Sequence, residues 1–334
     1  MDKITLAHGS GGKPMHRLID SLFLKEFSNA IGREKKDSAI LSMKGATLAF
    51  TTDSYVVDPL FFPGGDIGCL AVNGTVNDLS VCGARPFFLS CAMVIEEGLD
   101  IVTLERVVRS MKLCAQACGV RIVTGDTKVV ETGKCDKLFI TTSGIGVIDK
   151  GITLSIDNIK PSDAVIINGP IGDHAISILS VREGIGFGSK VKSDSAPLGS
   201  LVFANLRVSK KIRFMRDPTR GGMAATLNEI VQGRNFGIAL DEEKILVSPG
   251  TRSACELLGL DPLFLANEGK VIVIVASQDA IKVVREMRRH PLGRQSEIIG
   301  RVETGYKGKV YLNTSIGGKR IVDMPSGDQL PRIC

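Results

Sequence analysis

Short apolar runs alternate with segments of helical spacing along the whole chain, and this alternation constrains the fold more than any other feature. Strand candidates in the first half lie at residues 46–50, 87–95, 121–124 and 138–147. Helical spacing occurs at residues 14–29, from residue 66 to the glycine at 83, and at residues 102–118. Because strands and helices alternate instead of segregating, the pattern predicts a mixed α/β fold.

The same alternation begins again after residues 150–162. The second half holds strand candidates at 165–168 and 271–276, helices at 201–212, 223–231 and from 276 to 287, and a predicted hairpin at 300–312. We therefore expect a first domain of residues 1–155 and a second α+β domain of residues 156–323. The tail of residues 324–334 has no periodic pattern, so it is predicted to be irregular, exposed and flexible.

Charge and composition disfavour several classes of function. The net charge of +6 is spread along the chain, and there are only three Tyr and no Trp, so no nucleic-acid binding is expected. The longest apolar run is too short for a membrane span, and the N-terminus has no signal pattern. We expect a cytoplasmic protein whose eight cysteines stay reduced and whose cysteine spacing predicts no zinc site.

A glycine-rich loop near the N-terminus is the first candidate for anion binding. Its candidate residues are His8, Gly9, Gly11, Gly12 and Lys13. Backbone N–H groups in such loops can surround an anion. The same composition is also typical of a flexible arm, so the loop alone leaves both interpretations open.

Three aspartates of the first half lie at the ends of predicted elements. Asp53 follows the strand at 46–50, Asp126 follows the strand at 121–124, and Asp78 falls on the helix for which Asp66 is the predicted N-cap. Carboxylate oxygens suit Mg²⁺, which also accepts water and phosphate as ligands. Each aspartate alone is commonly a turn or cap residue, so spacing favours a metal–phosphate site without establishing one.

The second half adds three polar candidates. Arg220, Gly221 and Gly222 precede the helix at 223–231 and offer contacts for phosphate. Glu268, in a glycine turn before the strand at 271–276, is either a turn-capping residue or a base near a ligand. For His174, at the start of a helix, a structural role is the expected one.

The last eleven residues, MPSGDQLPRIC, end in a thiol. An extended segment of this length reaches about 35 Å, which is enough to cross a domain and enter a pocket. From the tail alone, Cys334 is either a functional thiol or simply the last residue of the chain.

Taken together, these stretches resemble the hydrogenase maturation factors of the HypE family, within the aminoimidazole ribonucleotide synthetase (PurM-like) superfamily. The matching stretches are HGSGGK (8–13), TTDSYVVDPLFFPGGDIGCLAVNGTVNDL (51–79), VTGDTKVV (123–130), DPTRGG (217–222), ANEGK (266–270) and PRIC (331–334). The Gly–Asp stretches are shared across the superfamily, whereas their combination with a terminal PRIC is specific to this family.

The resemblance implies a PurM-like two-domain fold. The N-terminal domains would build a barrel-like sheet across a homodimer, and ATP would bind in the cleft between the two domains. It also implies ATP-dependent dehydration of an S-carboxamide on Cys334 to an S-cyanide, for the iron of NiFe hydrogenase. The carbamoyltransferase HypF would load the thiol, and the HypC–HypD complex would receive the cyano group.

The resemblance further implies roles for the candidate residues. Asp53, Asp78 and Asp126 would hold Mg²⁺ and the phosphates of ATP. Lys128 and Glu268 would lie at the carboxamide, with Glu268 as the base. The loop of residues 8–13 would close over the triphosphate.

Two alternatives remain. The chain is either a non-catalytic carrier that presents Cys334, or a sister synthetase that makes selenophosphate or activates an amide of a small molecule. Asp126, Lys128 and Glu268 argue against the carrier. Ser10 stands where selenophosphate synthetases usually have cysteine or selenocysteine, which argues against that synthetase.

Overall fold

The computed structural model describes residues 3–27, 37–184, 191–327, 330 and 332–334. The helices are α1 (Lys13–Leu18), α2 (Leu24–Phe27), α3 (Ile67–Val81), α4 (Ile101–Cys118), α5 (Asp173–Arg182), α6 (Gly199–Val208), α7 (Gly222–Val231), α8 (Pro249–Leu258) and α9 (Ser277–Arg289). The strands are β1 (Ala39–Met43), β2 (Ala46–Tyr55), β3 (Phe61–Phe62), β4 (Gly65–Asp66), β5 (Ala84–Glu96), β6 (Arg121–Val130), β7 (Leu138–Ile148), β8 (Ala164–Ile167), β9 (Ile212–Arg216), β10 (Gly237–Asp241), β11 (Ile272–Val275), β12 (Glu297–Glu303), β13 (Val310–Asn313) and β14 (Lys319–Val322). Within these described ranges, no helix combines the length and apolar character needed to cross a membrane.

The first half of the chain forms a five-stranded sheet in the order β1-β2-β7-β5-β6. Neighbouring strands are antiparallel except β5 and β6, which run parallel. Helix α3 packs on one face of this sheet, and α4 packs against α3. Alternate residues of β2 from Ala49 to Tyr55 are buried or half-buried, because side chains along a strand point to opposite faces. Asp53 therefore lies on the inner face of the sheet.

The start of α3 agrees with the prediction from the sequence. One carboxylate oxygen of Asp66, the N-cap, accepts hydrogen bonds from the backbone N–H groups of Gly68 (2.8 Å) and Cys69 (3.0 Å). Every residue of α3 except Asp78 is buried. A helix that is buried on nearly all sides serves as a central support, and its one accessible residue is a candidate for function.

The second half forms a seven-stranded sheet in the order β14-β13-β10-β12-β8-β11-β9. The hairpin predicted over residues 300–312 is wrong, because β12 and β13 are not neighbours. Strand β10 lies between them, antiparallel to β12 and parallel to β13. Two strands separated by a turn look like a hairpin in the sequence, and nothing local indicates that a strand from 60 residues earlier is inserted between them.

Two strands extend further than their apolar runs predicted. β2 continues through Tyr55 and β6 through Val130, so Asp53 and Asp126 lie within strands instead of after them. Both strands can include polar residues because part of the surface of each strand is accessible to solvent.

The predicted helix at 201–212 is too long. It ends at Val208, and Ile212 begins β9. The helix predicted at residues 14–29 is present as α1, a π-helical turn at Ile19–Phe23 and α2, and its last two positions lie outside the described residues.

The two sheets use separate parts of the chain, residues 39–148 and 164–322. The predicted domain boundary after residue 155 falls between them and stays a prediction. The barrel across a homodimer concerns a second chain and also stays a prediction. One buried apolar cluster contains residues of both halves, such as Leu70 and Ile176, so the halves share part of their core and leave a polar cleft beside it.

Candidate active site

Three carboxylates lie close together, one just before β1, one on α3 and one directly after β9. Oxygen atoms of Asp37, Asp78 and Asp217 all lie within 4.8 Å of one another. The Thr51 hydroxyl oxygen lies 2.7 Å from a carboxylate oxygen of Asp78 and helps to fix that side chain. A cluster of carboxylate oxygens of this kind is suited to a hard divalent cation such as Mg²⁺.

The electrostatics of this cluster also fit a cation. Burial raises the pKa of Asp78 and of Asp217 well above the usual range, and nearby Asp53 raises both further. Burial likewise raises the pKa of Asp37 to about 6, although Arg216 acts in the opposite direction. Burial and mutual repulsion disfavour the charged forms of these groups, so a bound divalent cation would relieve that repulsion.

Arg216 is the main positive charge beside the cluster. Its guanidinium Nε lies 2.8 Å from a carboxylate oxygen of Asp37, and a second nitrogen forms an ion pair with Glu229. Burial opposes the charge of Arg216, but Asp37 and Glu229 outweigh it and raise its pKa. The Nε2 atom of His16 lies 2.7 Å from Glu229 and so connects α1 to α7.

The structure brings together two of the three aspartates predicted as metal ligands. Asp53 and Asp78 share the charged region just described. Asp126 does not reach it within one chain. Asp53 is in register with Thr142, and the row continues across β5 to Gly125, the residue before Asp126. Three strand spacings of about 4.8 Å separate β2 from β6, or about 14 Å in all.

Lys128 lies with Asp126 on β6. The two side chains form an ion pair of 3.0 Å and are 68% and 62% exposed. Neither residue lines the cavity that contains Cys334.

Asp37 and Asp217 were not among the candidates predicted from the sequence. Asp217 stands before a proline, as at many helix starts, but α7 begins only at Gly222, so its carboxylate is not needed as a cap. Asp37 directly follows a short run of charged residues, which is typical of a solvated surface. No local signal distinguishes it from that run.

The glycine-rich loop lies against the segment that contains Arg220. A guanidinium nitrogen of Arg220 donates to the carbonyl oxygen of Gly9 at 3.3 Å. A Cβ atom on Gly11 would come within 2.8 Å of the Arg220 carbonyl oxygen, so the two segments touch through their main chains. The His8 ring turns back to Thr5, whose backbone N–H donates to its Nδ1 atom at 3.0 Å.

The other end of this loop contacts the C-terminal tail. The backbone N–H of Lys13 donates to the carbonyl oxygen of Pro325 at 2.9 Å. A Cβ atom on Gly12 would lie 2.4 Å from the same oxygen. The predicted phosphate loop is thus also a support for the tail.

Gly221 and Gly222 form the start of α7 with positive φ angles of 74° and 61°. A Cβ atom on Gly222 would lie 2.5 Å from the carbonyl oxygen of Leu265. Only glycine therefore allows α7 to approach the segment that leads to Glu268.

Glu268 is 4% exposed, and its Oε1 atom has no hydrogen-bond partner among the described residues. Burial raises its pKa well above the usual range, and Asp217 and Asp194 add to this effect. A buried carboxyl group with an unsatisfied oxygen beside a cleft is a candidate proton acceptor.

Asp194, which the sequence analysis missed, fixes the turn that carries Glu268. Its carboxylate accepts hydrogen bonds from the backbone N–H groups of Glu268 (3.0 Å) and Gly269 (3.3 Å) and from Lys270 Nζ (2.7 Å). Although burial acts in the opposite direction, the charge of Lys270 lowers the pKa of Asp194. The turn is therefore held by an ionised carboxylate.

The C-terminal tail lies in the cleft, so the prediction of an exposed tail is wrong for its last residues. Ile333 is 5% exposed, and Cys334 is partly buried. Cys334 lines a cavity of about 100 Å³ together with Gly9, Arg220 and Gly221. The irregular backbone was predicted correctly for the described tail residues, but burial depends on the pocket that receives Ile333.

Comparison with known proteins places this geometry in a class. Residues 35–148 match the family model "AIR synthase related protein, N-terminal domain", and residues 160–313 match "AIR synthase related protein, C-terminal domain". A carbamoyl dehydratase HypE from Cupriavidus necator is 48% identical over 99% of this chain and 95% of its own length.

Solved structures agree with the sequence comparison. A hydrogenase maturation protein HypE in complex with ATP is 48% identical, with a TM-score of 0.83, over 99% of this chain and 100% of that one. A HypE chain from a HypE–HypF complex is 47% identical, with a TM-score of 0.88, over 92% of this chain and 99% of that one.

The two-domain fold with a carboxylate cluster in its cleft is that of the AIR synthase related (PurM-like) proteins. Within that class, the chain belongs to the HypE family of carbamoyl dehydratases. This confirms the predicted resemblance, fold class and class of enzyme.

Proposed function

We propose that this chain dehydrates an S-carboxamide on its own Cys334 to an S-cyanide, with ATP as the phosphoryl donor, and so supplies cyanide for the NiFe-hydrogenase iron. The docked tail carries the proposal, because Cys334 lines the same cavity as Arg220 and the glycine-rich loop. Three negative charges raise the pKa of Arg220. The charge of Cys334 has the largest effect, and those of Asp53 and Glu268 follow. The relative solved in complex with ATP supports the choice of nucleotide.

The chemistry requires the amide oxygen to become a good leaving group. In the first step this oxygen attacks the γ-phosphorus of ATP, the bond to ADP breaks, and one N–H proton is lost. In the second step the C–O bond breaks with its electron pair on the departing phosphate. The second N–H proton leaves and the C≡N bond forms. ATP and the S-carboxamide thus become ADP, phosphate and the S-cyanide.

Glu268 is the proposed acceptor for these protons. Its buried position raises its pKa, which suits a group that must both take up and release a proton near neutral pH. Asp194 holds its backbone in place through the hydrogen bonds described above. Arg220 would stabilise negative charge on the oxygen that is phosphorylated, beside Cys334.

The carboxylate cluster is the proposed Mg²⁺ site. Asp37, Asp78 and Asp217 supply oxygen ligands at a suitable separation, and Asp53 is proposed to join them because its charge acts on Asp78 and Asp217. Bound Mg²⁺ would neutralise phosphate charge during the transfer. The proposed contacts to the triphosphate are His8, Gly9, Gly11, Gly12, Lys13, Arg220, Gly221 and Gly222.

A homodimer is proposed from the edge of the first sheet. Nine of the ten residues of β6 are exposed, and three of them are the apolar Ile122, Val123 and Val129. An unpaired apolar edge strand readily pairs with a second chain. Asp126 and Lys128 lie on this strand, so in such a dimer we expect them to serve the site of the neighbouring chain, with Asp126 toward Mg²⁺ and Lys128 toward the carboxamide.

The remaining features of the proposal concern organisation and partners. HypF would load the thiol, as suggested by the relative solved in a HypE–HypF complex, and the HypC–HypD complex would accept the cyano group. We propose that the protein acts in the cytoplasm. The proposed units are residues 1–155, residues 156–323 and the tail of residues 324–334, which carries the acceptor cysteine.

The test is the mass of the C-terminal peptide after incubation with the carbamoyltransferase and its carbamoyl donor. We expect the mass of one carboxamide on Cys334, and the loss of one water once Mg-ATP is supplied. The Cys334→Ser variant should still bind ATP and should yield no cyanide. If the carboxamide forms and Mg-ATP changes nothing, the chain is a carrier. If Cys334 is never modified, a small-molecule substrate replaces the tail.

A further inference from the structure

The last three residues of the tail pair with the main chain that follows β2. The backbone N–H of Val56 donates to the carbonyl oxygen of Cys334 at 3.0 Å, and that of Asp58 donates to the carbonyl oxygen of Arg332 at 3.4 Å. These two bonds have the spacing of an antiparallel pair, because moving two residues forward, from Val56 to Asp58, is matched by moving two residues back, from Cys334 to Arg332. The tail thus lies antiparallel to residues 56–58 and is held by two main-chain hydrogen bonds, but it is not a regular strand, because Arg332 has a left-handed backbone with a φ of 54°.

The opposite edge of the tail is bound by side chains of α5. His174 Nε2 lies 2.8 Å from the carbonyl oxygen of Ile333, and an Arg182 guanidinium nitrogen donates to that of Arg332 at 2.7 Å. The carbonyl oxygens of all three terminal residues therefore have a donor. These contacts recognise main chain and are independent of the side-chain sequence.

His174 is held in one tautomer for this contact. A carbonyl oxygen only accepts, so Nε2 must carry the hydrogen, and the Ser193 hydroxyl must then donate to Nδ1 at 2.8 Å. The ring is fully buried, and burial lowers its pKa, which agrees with a neutral ring. His174 thus points a single N–H group at the tail.

Two side chains of the tail enter sites of different chemistry. Arg332 donates to the carbonyl oxygen of Val56 at 2.9 Å and to a carboxylate oxygen of Asp136 at 2.5 Å. Its guanidinium also lies 5.8 Å from the centre of the Phe139 ring. Ile333 is buried in the apolar cluster that includes Val57 and Phe62. The groove therefore favours a basic residue two positions before the cysteine and a branched apolar residue directly before it.

We propose that this groove is a recognition site for a C-terminal peptide ending in Arg-Ile-Cys, and that it accepts such a peptide in trans. The contacts to Arg332, Ile333 and Cys334 are made by Val56, Asp58, Asp136, His174 and Arg182, and none of them depends on a covalent link to the rest of the chain. The groove supplies positioning residues for the reaction, and this part of the inference rests on the proposed function.

Binding can be tested with the full-length Arg332→Glu variant, in which Asp136 repels the chain's own tail and leaves the groove free. The probe is a fluorescein-labelled peptide of residues 324–334 that carries Cys334→Ser. We expect saturable binding by fluorescence anisotropy. The same peptide with Ile333→Ala should bind at least about tenfold more weakly.

A charge reversal tests whether the groove is the site. Adding Asp136→Lys to the Arg332→Glu chain should weaken peptide binding at least about tenfold, because the peptide arginine then meets a like charge and the chain's own tail again meets an opposite charge in the groove. The matched control adds Asp149→Lys, since Asp149 is in an exposed ion pair with Arg85 on another part of the surface. Equal affinity in the two double variants, or no saturable binding, would overturn the inference.

A second readout separates this inference from the proposed function. The peptide is supplied with its cysteine as the S-carboxamide, together with Mg-ATP and the Arg332→Glu chain, and we expect it to lose one water. If the peptide binds in the groove but neither it nor the wild-type tail is dehydrated, recognition stands and the proposed function fails. If only the wild-type tail is dehydrated and no peptide binds, the proposed function stands and recognition in trans fails.

Discussion

Shortening Ile333 to alanine should release the tail from the cleft. The side chain is 5% exposed and belongs to the apolar cluster between the first sheet and α5. Ile333→Ala removes three buried carbons at about 0.8 kcal/mol each, or about 2.4 kcal/mol of docking free energy. Since every 1.4 kcal/mol is a factor of ten, the ratio of undocked to docked tail should rise about 50-fold.

The reactivity of the Cys334 thiol reports this equilibrium. A docked thiol is partly buried, whereas an undocked thiol reacts as in a free peptide. Alkylation by iodoacetamide, followed by the mass of the C-terminal peptide, should be faster in Ile333→Ala until it reaches the rate of the free peptide. Cys118, which is also partly buried and lies at the end of α4, serves as an internal reference in the same samples.

A matched substitution controls for general effects of losing an isoleucine. Ile316 is 94% exposed, so Ile316→Ala should change neither the labelling of Cys334 nor that of Cys118. If Ile333→Ala labels Cys334 at the wild-type rate, the side chain does not hold the tail, and the docking argument is wrong. If both variants accelerate labelling equally, the effect is not specific to the pocket.

Three further predictions concern residues that position or perform the chemistry. Because burial raises the pKa of Glu268, the rate of dehydration should rise with pH through the neutral range, and Glu268→Gln should abolish it. Burial favours protonated Glu268 in the folded state. The free energy of unfolding of the wild type, measured in urea relative to that of Glu268→Gln, should therefore fall as pH rises above the unfolded pKa of about 4.3. Gly222→Ala should destabilise the fold by about 3 kcal/mol or more because its Cβ meets main-chain oxygens, whereas Gly233→Ala, with a similar φ of 71° and open space, should cost only about 1–2 kcal/mol. Asp217→Asn should weaken Mg²⁺-dependent ATP hydrolysis yet raise the melting temperature of the metal-free protein, since it removes a buried charge; an unchanged requirement for Mg²⁺ would contradict the assignment.

Local rules predicted the elements whose signals are local. The Asp66 cap, the start of α3 and the extent of α4 agree with the sequence analysis, because a capping side chain and helical spacing act over a few residues. The order of strands in the second sheet was not predictable in this way. β10 enters between β12 and β13 through contacts between residues about 60 positions apart, and no short stretch of sequence encodes them.

The site was predictable in its chemistry and only partly in its membership. Asp53 and Asp78 were found because each is a carboxylate in an otherwise apolar or Thr-rich stretch. Asp37 gave no such contrast among its charged neighbours, and its role appears only when β9 brings Arg216 beside it. Asp126 also stands out from its neighbours in the sequence, but it lies on an exposed edge strand. Its proposed role there depends on a second chain, which no single sequence describes.

The way the tail is held also bears on how a reaction with a tethered substrate can turn over. In the proposed cycle the same thiol must reach a carbamoyltransferase, return to the cleft and leave again with its cyano group. A tethered tail already has an effective concentration in the millimolar range, so tight contacts are not needed for occupancy and would slow release. The observed contacts fit this requirement. The last three residues are bound mostly through main-chain oxygens, and about 2.4 kcal/mol of the docking comes from a single apolar side chain. Strengthening the Ile333 pocket should therefore slow turnover under conditions where tail release is limiting, even as it increases occupancy of the cleft.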